Sequence, residues 1–192
     1  SMCVDDDGKT PAFDQVVSEN LENIHFTPET VHAAIKQLKL GGAGGPDGFP
    51  PRVFKKLAVC IKDPLSLIFT SFMSVGQLPR DWKHAVVTPV YKSGAASSAS
   101  NYRPISLTCV ACKLMERVIV KQTLGFLRKH GVINAHQHGF LSGRSTTTNL
   151  LESVNDWTLA INDRKSVGAA YIDYTRAFDC VSHSKLLLKL RS

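Results

Sequence analysis

Two periodicities divide this chain, and their order limits the folds open to it. From Thr27 onward apolar residues recur at helical spacing between Pro starts and Gly stops, and that rhythm breaks at residues 85–91 (AVVTPVY), 105–107 and 167–172 (VGAAYI). Several helices with few strands predict an α/β chain of the α+β kind. Thr27 and Pro28 suit the cap and first position of a helix whose stripe is Val31, Ile35 and Leu38 and whose stop is Gly41-Gly42. Asp63-Pro64 repeats the start signal ahead of Leu65, Ile68, Phe69, Phe72 and Met73, with Gly76 as the stop. Residues 85–91, the polar loop 92–101 and residues 105–107 predict a β-hairpin, and Pro89 favours an edge strand. Helical spacing returns from about Val110 to Lys129, closed by Gly131, and again behind a Ser145 cap through Leu150, Leu151, Val154 and Ile161.

The run at 167–172 differs in kind. It has no polar alternation, as expected of a strand covered on both faces, and it leads directly into Asp173. Such a strand delivers a carboxylate to a sheet edge. A last helix is expected to start near Ser182 or Ser184 and to carry Leu186, Leu187, Leu188 and Leu190.

Charge separates the chain's front from its body. Net charge is +7, but residues 1–30 hold seven acids and one base, so the remainder carries +13. A body this basic suits a polyanion, either nucleic acid or an anionic membrane surface, with a solvated basic face as the plainer alternative. No stretch reaches the roughly 18 apolar residues that span a bilayer, and the N-terminus lacks a basic-then-apolar leader, so an intracellular protein with no membrane partner is expected. At 192 residues and 43% hydrophobic content the chain can bury one core, or one core plus part of another. Ser1-Met2 reads as an expression remnant at the head of an acidic arm over residues 1–26. Five cysteines, at 3, 60, 109, 112 and 180, form no regular framework and are expected as reduced thiols. Cys109 and Cys112 make a CxxC, but His136 and His138 stand in no recognised ligand spacing to complete a zinc site; two small buried thiols at a helix start are expected. A Rossmann or P-loop nucleotide site is excluded, because neither glycine pattern occurs.

Four stretches, taken together, resemble the reverse transcriptases of non-LTR retrotransposons. Residues 171–183 (YIDYTRAFDCVSH) are similar to that family's motif A, an aromatic or aliphatic strand, then Asp, then an AFDxVxH tail. Residues 78–116 resemble its fingers motif, with WK, a strand, Pro and Lys, a variable loop, then NYRPISL and a KLxE helix. Residues 137–145 (QHGFLSGRS) resemble the next fingers motif, QxGFxxGRS. Residues 38–49 (LKLGGAGGPDGF) are similar to the motif ahead of the fingers, KAPGPDGI, with Gly42-Ala43-Gly44 replacing Lys-Ala-Pro, from which a more flexible loop is expected.

The resemblance, which covers residues 27–192, implies mainly helical polymerase fingers with a β-hairpin over 27–165 and the first strand and helix of an RRM-like palm over 166–192, an incomplete right hand. It implies an RNA-directed DNA polymerase that copies retrotransposon RNA from dNTPs with two Mg2+ ions, partnered by RNA template, DNA primer and the remaining palm and thumb. Asp173 becomes the catalytic metal ligand, and Asp179 a structural acid. Taken alone, Asp173 reads as a cap. Lys92, Arg103, Phe178 and Tyr174 become nucleotide-binding residues: the two cations for the triphosphate, Phe178 for the sugar. As isolated residues the cations read as solvated charges and Phe178 as a core aromatic. Gly139, Gly143 and Arg144 border the template, or else form a glycine turn ahead of a capped helix. The two-aspartate motif is not found, so this chain is expected to be inactive alone, and its parent to act in nucleus and cytoplasm within a ribonucleoprotein. A retained, non-catalytic nucleic-acid-binding or interaction module derived from such an element is the alternative.

Overall fold

The computed structural model describes residues 8–9, 17–174, 177–178 and 180–191, which fall into two compact units: Leu21–Phe126, and Ser1–Asn20 with Leu127–Ser192. Among the described residues the elements are α1 (Pro28–Lys36), α2 (Pro51–Lys56), α3 (Ala58–Val75), β1 (Val86–Tyr91), β2 (Tyr102–Leu107), α4 (Val110–Lys129), α5 (Thr146–Asn162) and α6 (His183–Arg191). Helices and one small antiparallel sheet make this an α+β chain.

The Leu21–Phe126 unit owns the core. The Thr27 hydroxyl accepts from the Thr30 N–H, satisfying one of the free donors at the start of α1, and the helix turns Val31, Ala34 and Ile35 inward. Phe69 of α3, fully buried, meets Phe26 edge-on at 5.7 Å and Trp82 at 5.9 Å, while α4 adds Val110, Leu114, Met115 and Val118. Packing begins ahead of Thr27, since Phe26 is buried and Gln122 both donates to the His25 carbonyl and accepts from its N–H.

Four expectations change. Asp63-Pro64 does not start a helix: α3 begins at Ala58 and carries Pro64 inside it. An internal proline forfeits one backbone bond, at about 3 kcal/mol. The stripe of Ile61, Leu65, Phe69 and Phe72 packed on the core offsets that cost. Gly76, left-handed at φ 68°, closes α3 as expected. The same helix is long and apolar enough, by length and composition, to cross a membrane, contrary to the sequence expectation. Within this unit it packs Ser66 and Phe69 inward, and the Ser66 hydroxyl donates to the Phe26 carbonyl.

The third change concerns residues 167–172, which form no regular element and have no strand pairing. A strand's N–H and C=O groups need a neighbour, and the sheet among the described residues holds only β1 and β2. Ile172 stands 77% exposed where burial on both faces was expected.

The hairpin forms as expected, with Val86 opposite Leu107 through Tyr91 opposite Tyr102. Lys92 N–H donates to the Asn101 carbonyl at 2.8 Å; counting back by the antiparallel alternation puts Pro89 and Pro104, which face each other, at a non-hydrogen-bonded pair. Neither proline therefore withholds a ladder donor.

The loop at 42–48 is closed rather than loose. Gly48 N–H donates to the Gly45 carbonyl, with Pro46 and Asp47 between them, and the Asp47 side chain accepts from Phe49 N–H. Gly45 lies against the backbone of Thr108 and Cys109, where a Cβ would fall 2.4 Å from the Cys109 nitrogen.

In the other unit, Gly131 closes α4 at φ 66°, with Gly131 N–H to Arg128 C=O and Val132 N–H to Leu127 C=O forming a Schellman end. Ser145 caps α5 through a reciprocal bond with Thr148. The stripes of α5 and α6, including Leu150, Leu151, Leu187 and Leu190, are exposed.

Candidate nucleotide and nucleic-acid site

Strand alternation sorts the hairpin's side chains into two faces. The Tyr91 and Tyr102 rings meet edge-on at 5.6 Å and so share one face. Val90, Arg103 and Lys92 fall on the other, because Val90 pairs with Arg103 and Lys92 lies two residues beyond Val90. Arg103 and Lys92 are thus diagonal neighbours, with backbones roughly 7–8 Å apart. Both are exposed, and neither enters an ion pair among the described residues. The loop between them is anchored by the residues that flank it: Tyr102 hydroxyl donates to Ala96 C=O, Asn101 side-chain amide to Ala95 C=O, and Tyr91 hydroxyl to Gly94 C=O. In the NYR triplet, then, Asn101 and Tyr102 hold the loop while Arg103 stays exposed.

Residues 137–145 form an anchored loop in the other unit. His138 is buried; its Nδ1 lies 2.8 Å from Thr148 Oγ1 and its Nε2 2.8 Å from Glu152 Oε2. His136 pairs with the other oxygen of the same carboxylate, and Arg144 stands 3.8 Å from Glu152 and 3.3 Å from His138 Nε2. Hydrogen bonds from the His136 and His138 side chains hold the Glu152 carboxyl below its ordinary range. Arg144 is therefore shared between this network and any phosphate it meets. Gly143 is left-handed at φ 80°, and a Cβ at Gly139 would meet open space. Sequence reasoning missed Glu152 and gave His138 no role, since their contact joins a loop to a helix 14 residues on and no local spacing marks it.

Asp173 and Tyr174 lie on exposed chain outside any regular element, and Phe178 is 78% exposed rather than a core aromatic in this structure. Asp179, expected as a structural acid, lies outside the described residues. The carboxylate of Asp173 offers the hard oxygen donors that Mg2+ takes, yet no group of three His, Cys, Asp or Glu among the described residues could hold a metal ion.

Cys109 and Cys112 are the buried thiols expected at the start of α4. Burial raises the Cys109 pKa; burial, then the Glu116 carboxylate, pushes the Cys112 thiol up to about 11. Cys60 and Cys180 are exposed. Alkylation of the folded chain near pH 8 should therefore modify Cys60 and Cys180 and spare Cys109 and Cys112, read by peptide mass spectrometry. Labelling of Cys112 at the rate of Cys60 would contradict the packing of α4.

What these pieces define is an α+β chain with a cationic hairpin face and an anchored glycine loop. The family model for reverse transcriptase (RNA-dependent DNA polymerase) matches residues 90–192. A probable RNA-directed DNA polymerase from transposon BS of Drosophila melanogaster is 32% identical over 85% of this chain and 18% of its own length. The RNA-directed DNA polymerase from mobile element jockey of the same fly is 32% identical over 86% of this chain and 18% of its own length. A retrovirus-related Pol polyprotein from type-1 retrotransposable element R2 of Nasonia vitripennis is 27% identical over 78% of this chain and 14% of that protein. The chain belongs to the reverse transcriptase family, of the non-LTR type that its motifs indicated. It spans less than a fifth of the length of these relatives.

Proposed function

We propose that this chain forms the fingers, over residues 27–165, and the opening of the palm, over 166–192, of an RNA-directed DNA polymerase that copies retrotransposon RNA from dNTPs. The observation that carries the reading is that Lys92 and Arg103 fall on one and the same exposed face of the hairpin in a chain of the reverse transcriptase family. Two cations with no acidic partner among the described residues suit a triphosphate and can offset the charge that develops on its leaving group. Residues 167–172 become the first strand of an RRM-like palm once neighbouring strands pair with them, bringing Asp173 to the sheet edge. There Asp173 would hold Mg2+, which in a two-ion site steadies the attacking and leaving oxygens. Phe178 lies against the sugar of the incoming nucleotide, with Tyr174 beside it, and Gly139, Gly143 and Arg144 border the template. RNA template, DNA primer and the remaining palm and thumb are the partners. A single metal carboxylate leaves the chain inactive alone, and the parent works inside the cell, in nucleus and cytoplasm, within a ribonucleoprotein.

In the complete polymerase, Lys92→Ala or Arg103→Ala should raise the barrier to nucleotide incorporation by about 2 to 4 kcal/mol while primer-template affinity changes little. Single-turnover incorporation alongside duplex titration separates the two. Lost duplex affinity with unchanged nucleotide kinetics would move both residues to the template side and sink the assignment.

A further inference from the structure

We propose that the loop at residues 137–144 presents Phe140 as a stacking platform for a nucleobase of single-stranded RNA; the inference rests on the fingers reading above. Phe140 adopts φ 60°, a left-handed conformation that is costly for a bulky side chain, and its ring is 84% exposed. Neither burial nor a helix end explains the strain. Such strain persists where the surroundings over-determine it, commonly at ligand clamps. Here both flanks are fixed. On one side His138 is buried between Thr148 and Glu152. On the other, Arg128 donates to the Ser142 carbonyl, Arg144 N–H donates to the Leu141 carbonyl, and the Arg144 side chain lies 3.8 Å from Glu152. The loop thus holds an apolar ring out in water.

The occupant follows from charge and shape. Residues 127–145 contain three Arg or Lys and no Asp or Glu; Lys129 pairs with Glu19 at 3.3 Å and Arg144 stands 3.8 Å from Glu152, so the cluster keeps one positive charge in excess, with Arg128 in no ion pair among the described residues, and an anionic strand is the complementary partner. The Phe178 ring meets Phe140 edge-on at 5.7 Å and 81°, an arrangement that leaves aromatic surface open for a flat π system. A strand whose phosphates meet Arg128 and Arg144 while one base lies on Phe140 satisfies both features. An apolar protein surface would satisfy only the second.

The test is fluorescence anisotropy of the whole 192-residue chain with an about ten-nucleotide labelled RNA, across a salt series. Phe140→Ala and Phe140→Leu should each weaken binding about tenfold, Phe140→Trp should retain it, and the salt slope should stay that of the wild type. Phe140→Gly relieves the positive φ, so it should melt no lower than the wild type yet bind as weakly as Phe140→Ala. That pairing separates lost stacking from lost folding. Wild-type affinity in Phe140→Leu would show apolar cover by protein and overturn the proposal. Wild-type affinity in Phe140→Ala, with steep salt dependence kept, would overturn it while leaving the fingers reading intact. Absence of salt-dependent RNA binding by the wild type would sink the platform and count against the nucleic-acid reading of this loop as well.

Discussion

Gly45→Ala should lower the melting temperature of the Leu21–Phe126 unit by ten degrees or more. The added Cβ would lie 2.4 Å from the Cys109 nitrogen, 2.5 Å from the Thr108 carbonyl carbon and 2.6 Å from the Cys109 Cα. All three are backbone atoms, so no rotamer change relieves the clash. Overpacking that forces backbone shifts costs typically 1–3 kcal/mol, occasionally more, and a clash with three backbone atoms at the half-buried Gly45 puts the cost at about 3 kcal/mol. For a domain near 100 residues, each kcal/mol shifts Tm by roughly 4–8 °C. Gly41→Ala is the matched control, because a Cβ at Gly41 meets nothing within 4 Å and the backbone there is not left-handed. Circular dichroism melts of the two variants decide the matter: equal Tm values would show that the approach of Gly45 to Thr108 and Cys109 is not a constraint on the fold.

That contact also shows where the sequence was legible. The stretch at 38–49 is recognisable as a motif, but its composition suggested looseness, since three small residues stand in for Lys-Ala-Pro. What fixes the loop is a turn at Gly45, Pro46, Asp47 and Gly48 and a backbone more than 60 residues away in sequence, and single-sequence patterning carries no distances of that kind. Local signals fared well where the physics is local. Thr27, Gly76, Gly131 and Ser145 act at helix ends through their own hydroxyls or their own φ, and each was read correctly. Pro64 misled for the same reason: it is a local signal, and packing of Phe69 and its neighbours outweighed it. The run at 167–172 carries a strand's composition, yet a strand is a property of two chains side by side. His138 and Glu152 meet only because a capped helix places residue 152 over the loop, a pairing that no local spacing marks.

Asp173→Asn is expected to have the largest effect on activity. Losing an outer-shell partner of a metal ligand costs roughly 10- to 100-fold in affinity or activity, and losing a ligand itself should cost more. The substitution removes one charge and one hard donor at an exposed position, so folding should be unaffected and nucleic-acid affinity nearly unchanged. A Tm within about 1 °C of the wild type is the accompanying expectation, in line with surface substitutions that break no packing. A large fall in Tm would instead make Asp173 a structural cap, the ordinary role of an Asp that follows an extended run.

Primer extension by the complete polymerase on an RNA template with a DNA primer tests the central claim most directly. The account predicts dNTP-dependent extension by the wild type and by Cys180→Ser, a change at an exposed residue outside the proposed machinery, with extension by Asp173→Asn lowered by more than about 100-fold. Extension by Asp173→Asn at the wild-type rate, or none by the wild type itself, would contradict it.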